Sequence, residues 1–141
     1  MIKPRLRNEA AGSPLYWLDE SGSTKKVKSP TAYLLPNYDE YFIGFRDRSA
    51  IGEISAQANI SSDNPALIAH VIILDGQVVG GWRRTLKKNE VIVEASLITT
   101  LTNEEKQAVA VAAERFGQFL GLSVSVTYKE HKAVQRKTRS F

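Results

Sequence analysis

Nine consecutive residues, Ala66–Leu74 (ALIAHVIIL), are apolar apart from His70 and rich in β-branched side chains. Such a run reads as a buried strand. Asp75-Gly76 follows at once, and an Asp-Gly pair supplies the positive φ angles that a two-residue hairpin turn needs. The sequence therefore predicts a return strand over Gln77–Thr85. A second turn is expected over Lys87–Glu90, with Asn89 suited to positive φ. A third antiparallel strand follows over Val91–Ile98 (VIVEASLI). These three strands form a meander, which frames the rest of the chain.

The next segment changes period from two to 3.6. Val109, Ala112, Ala113, Phe116 and Leu120 fall on one helical face. Thr102 and Glu105 fit the S/T-x-x-E capping box, and Gly121 is placed to end the helix. A helix over Thr102–Leu120 is thus predicted, followed by a strand over Leu122–Tyr128 (LSVSVTY), which alternates cleanly. Upstream, Met1–Thr31 reads as irregular, with a short strand at Leu15–Leu18. Pro30 precedes a strand at Thr31–Leu35, and one or two helical turns fit Asp39–Phe45, capped by Asn37 or Asp39. Ala50–Pro65 reads as a long surface loop. The predicted class is α+β: an antiparallel meander, flat or curled into a small barrel-like sheet, packed against one long helix.

A chain of 141 residues fits one domain with one core. It has no cysteine, which excludes a disulfide framework, a thiolate nucleophile and a cysteine metal site, and fits a reducing cytoplasm. No apolar run approaches the roughly 20 residues of a membrane span, and the N-terminus has no signal-peptide pattern. The net charge of +4 is made by the last segment, where Lys129, Lys132, Arg136, Lys137 and Arg139 face one acid, Glu130. The remaining 14 basic and 14 acidic residues balance. A basic tail of this kind either holds phosphates through counterion release or is simply a solvated terminus.

Few residues suggest chemistry. Asp39 and Glu40 are adjacent carboxylates, and Asp47 lies between Arg46 and Arg48; an ion-pair network that positions a loop accounts for them better than acid–base catalysis or a metal. His70 and His131 have no metal-like spacing, so no metal site and no cofactor is expected. Gly80-Gly81 ends a strand without a following helix, which excludes a phosphate loop and points to a bulge or a close backbone approach. The stretch Trp82–Glu90 (WRRTLKKNE) is the best candidate. It places Arg83, Arg84, Lys87 and Lys88 on a hairpin, whose cations can neutralise phosphates on both sides of a DNA groove. Trp82 can either stack on a base or pack in the core. The alternative for the cations is a solvated, edge-protecting face.

Two segments, LLPNYDEYFIGFRDRS from Leu34 and VVGGWRRTLKK from Val78, resemble the C-terminal region of a bacterial family of winged-helix DNA-binding proteins. Some members are DNA glycosylases that remove alkylated or crosslinked bases. Phe116–Gly121 (FGQFLG) is similar to the end of a helix in that family. The resemblance spans about Leu15 to Leu122. It implies a C-terminal β-barrel-like domain over residues 31–128, with residues 1–30 as the remnant of a preceding winged-helix unit and linker, and 129–141 as a basic tail. Full-length members are considerably longer, so upstream winged-helix domains are implied partners.

The catalytic Gln-x-Gln or Gln-x-Asp of the glycosylases is not matched, because Gln57, Gln77, Gln107, Gln118 and Gln135 stand in neither pattern. The resemblance thus implies a domain that is not an enzyme on its own. Its expected function is to contact double-stranded DNA without reading sequence, through Arg83, Arg84, Lys87 and Lys88, with Arg46 and Arg48 as a second set and Trp82 beside them. The competing expectation is a structural or protein-interaction module that braces the winged-helix domains without touching DNA.

Overall fold

The structure, a computed structural model, describes residues 6–10, 15–19, 28–44, 51–52 and 70–130. The first segment is not irregular: β1 (Leu6–Ala10) pairs antiparallel with β2 (Leu15–Asp19) as a separate hairpin. Then come β3 (Ala32–Leu34), the single-turn α1 (Glu40–Ile43), β4 (Val71–Leu74), β5 (Gln77–Leu86), β6 (Glu90–Leu97), α2 (Asn103–Leu120) and β7 (Ser123–Glu130). Strands β3 to β7 form one five-stranded sheet in sequence order, curled into a half-barrel. Residues 53–69, which include the start of the expected Ala66–Leu74 strand and most of the Ala50–Pro65 loop, lie outside the described residues.

The β4–β5 turn is as the Asp-Gly pair requires, with φ of +46° at Asp75 and +80° at Gly76. Strands β3 to β6 are antiparallel throughout, but β7 runs parallel to β6, with Glu90 opposite Ser123 and Leu97 opposite Glu130. This corrects the all-antiparallel expectation. A parallel neighbour needs a long crossover, and the helix α2 between the two strands is that crossover.

Thr102 caps α2 with both halves of the capping box: its hydroxyl accepts from the Glu105 amide at 3.2 Å, and Glu105 Oε2 accepts from the Thr102 amide at 2.8 Å. Gly121 ends the helix in the left-handed conformation at φ +67°. In α1 the Asp39 carboxylate caps the Tyr41 amide at 2.9 Å, which selects Asp39 over Asn37. At the β5–β6 turn the expectation fails. Among the described non-glycine residues only Tyr38 and Asp75 have positive φ, and Asn89 does not. Its carbonyl instead accepts from the Ser123 amide and hydroxyl, tying the turn to the start of β7.

The helix-side core joins Ile72, Leu74, Val79, Trp82, Val93, Ala95 and Leu97 to Val109, Ala112 and Ala113 of α2. The opposite face carries a smaller cluster of Val71, Ile73, Val78 and Ile98. Fully burying each such aliphatic side chain contributes about 1.5–3 kcal/mol. One irregularity sorts residues between the two clusters. Ile72 pairs with Gly80 but Ile73 pairs with Val78, so Val79 is an extra residue in β5. Without it, Val78 and Trp82 would share a face. With it, Val78 lies in one cluster and Trp82 in the other. Gly80 permits the bulge: a Cβ there would overlap the Ser96 carbonyl oxygen and sit 3.1 Å from Leu97 Cα.

Candidate nucleic-acid interface

The outer half of β5 carries the candidate cations. Past Trp82 the strand outruns its pairing with β4 among the described residues, and Arg83, Arg84, Thr85 and Leu86 are all exposed. On the other side the strand stays paired to β6, with Arg83 opposite Glu94 and Arg84 opposite Val93. Opposed residues share a face, so the two arginines point to opposite sides of the sheet. Arg83 lies on the outer, polar face. Arg84 lies on the helix side, its guanidinium 5.9 Å from the centre of the Phe116 ring. Lys87 and Lys88 are exposed at the hairpin tip, where Lys87 Nζ sits 3.6 Å from Glu90 Oε2. Lys129 on β7 pairs with Glu94 at 3.4 Å, so this first residue of the expected basic tail belongs to the sheet.

Trp82 is not part of this surface. Its side chain is 3% exposed, with His70 and Phe116 edge-on at 5.2 and 5.3 Å between ring centres. Its Nε1–H donates to the Leu35 carbonyl oxygen at 2.9 Å. The packing alternative therefore describes it, because an indole this deeply buried presents no ring face to a base. His70 just precedes β4, and its pKa is lowered by burial first and by the positive charge of Arg84 second.

The two distinctive sequence segments meet here. Besides the Trp82–Leu35 bond, the Tyr41 hydroxyl donates to the Gly76 carbonyl at 3.0 Å. The Asp75 carboxylate accepts from the Ser29 hydroxyl at 2.7 Å and the Thr31 amide at 2.8 Å. The local sequence marks Asp75 as a turn former only; no local signal reveals the chain segment that its carboxylate holds. Arg46, Asp47 and Arg48 lie outside the described residues. No cluster of three potential metal ligands occurs among the described residues, and no described helix is long and apolar enough to cross a membrane. Phe119, near the C-terminus of α2, is 85% accessible.

A curled mixed sheet closed by one helix, with a basic hairpin at its margin, defines a small α+β domain. A family model described as "DNA glycosylase AlkZ-like" matches residues 5–119, and the chain belongs to this AlkZ-like DNA glycosylase family. Among solved structures, the DNA glycosylase AlkZ of Streptomyces sahachiroi superposes with a TM-score of 0.54 at 18% identity, over 86% of this chain and 33% of that one. That likeness is one of fold, and the chain spans about a third of the length of that relative. No curated protein matches.

Proposed function

We propose that this chain is a duplex-DNA-binding accessory domain of a DNA-glycosylase-type protein, contacting the backbone without reading sequence. The observation that carries the reading is the β5–β6 hairpin, where Arg83, Arg84, Lys87 and Lys88 are all exposed and Glu90 is the carboxylate paired among them. Arginines on opposite faces of one ribbon suit a groove, because each faces a different phosphate strand. Arg46 and Arg48 form a second set in this proposal. Upstream winged-helix domains would hold the lesion, and the catalytic Gln-x-Gln or Gln-x-Asp would come from them, since this sequence has neither.

The test is fluorescence anisotropy with a short duplex at about 50 and 200 mM salt; four phosphate contacts give a log–log slope of about −3.6. Binding that ignores salt, or no binding at the lower salt, would sink the proposal. A second reading, a module that braces other domains, is favoured by one observation: Arg84 is engaged with Phe116. Under that reading the hairpin ignores DNA at every salt concentration.

A further inference from the structure

β7 is an edge strand of eight residues, and its backbone polarity can be assigned. The Ser123 amide donates to the Asn89 carbonyl at 3.2 Å, towards β6. In a parallel ladder the residues that bond a given neighbour alternate, so Ser123, Ser125, Thr127 and Lys129 direct their N–H and C=O groups to β6. Val124, Val126 and Tyr128 direct theirs away from it, and no strand among the described residues takes them. A groove of about 360 Å³ runs beside this edge, walled by Val124, Val126 and Tyr128 and by Lys106, Ala110 and Glu114 of α2.

The charge of this groove is self-complementary. The helix runs against the strand: the Tyr128 hydroxyl donates to the Lys106 carbonyl at 2.7 Å, while Gly117 lies against Val124. Lys106 therefore stands at the Tyr128 end, and Glu114, about two turns on, towards the Val124 end. A second copy added antiparallel brings its Val124 end to the first copy's Tyr128 end. Each Lys106 then faces the partner copy's acidic end.

We propose that the β7 edge, with its groove against α2, is an interface for a second copy of this chain, with β7 pairing antiparallel about a two-fold axis through Val126. The outward residues are then in register, Val126 with its own copy and Val124 with Tyr128 twice. These are hydrogen-bonded pairs of the antiparallel ladder, giving about six backbone bonds. The paired side chains are Val–Val and Val–Tyr, combinations that stabilise a cross-strand contact. Pairing of this kind also covers a long edge that carries no proline.

Sedimentation velocity of the full chain, from low micromolar to sub-millimolar concentration, tests this. The expected result is a mass that rises from the 15.7 kDa monomer towards twice that value. Val126→Pro removes an outward N–H and spares the bonds to β6, so it should abolish the dimer while circular dichroism stays native. Lys106→Glu or Glu114→Lys alone should weaken association at least several-fold, and the two together should restore it. These charge variants decide the matter if the proline variant does not fold. A chain that is monomeric throughout overturns the proposal, as does a dimer that survives Val126→Pro in folded form. A dimer that the single reversals leave unchanged, or that the double reversal fails to restore, overturns it too.

Discussion

The indole N–H of Trp82 donates to the carbonyl oxygen of Leu35 at 2.9 Å, joining the two segments that make this sequence distinctive. One supplies a buried donor and the other an acceptor that β3 leaves unused just past its end. Trp82→Phe keeps most of the apolar volume but leaves the Leu35 oxygen without this donor, at a cost of about 1–3 kcal/mol. Trp82→Ala also opens a cavity between His70 and Phe116 and should cost about 3–5 kcal/mol. Urea titration of both variants checks the order. A neutral Trp82→Phe would show that the hydrogen bond contributes nothing, and equal losses would show that the cavity adds nothing to it.

Gly80→Ala is expected to destabilise the fold by about 1–3 kcal/mol or more, because its Cβ meets backbone at Ser96 rather than a movable side chain. The same measurement serves. A neutral substitution would show that β5 and β6 separate without cost at the bulge.

Replacing Arg83 and Arg84 together by alanine should flatten the salt dependence of DNA binding by about two units of slope. Loss of the exposed Arg83 side chain should cost under about 0.5 kcal/mol of stability. Arg84 adds about 0.5–1 kcal/mol for its contact with Phe116. A loss of several kcal/mol in either single variant would mark that arginine as structural and withdraw it from the proposed interface.

Protein stability should depend on the charge of His70. Both burial and Arg84 favour its neutral form and hold its pKa below the ordinary 6.5, so the folded chain binds fewer protons than the unfolded one. The stabilisation is fully present above pH 6.5 and is lost as the pH falls through that value towards the folded pKa, at no more than about 1.4 kcal/mol per pH unit. Chemical denaturation at several pH values measures the slope, and NMR titration of His70 measures its pKa. Arg84→Ala should move that pKa upward; a downward shift would contradict the assigned cause.

The sequence by itself determined the local elements, because their causes are local. Asp75-Gly76 set the β4–β5 turn, Thr102 and Glu105 set the start of α2, and the spacing of Val109, Ala112 and Ala113 set its buried face. The direction of β7 was not legible, because LSVSVTY alternates identically in a parallel or an antiparallel pairing. Nor was the assignment of faces along β5. Period two places Val78, Trp82 and Arg84 together, and Val79 breaks that phase by adding one residue opposite β4. Only the tertiary structure decided that Trp82 turns inward with Arg84 on its side and Arg83 on the other. A bulge is a relation between two strands, fixed where Gly80 lets the backbone approach Ser96, and no pattern within one strand records it.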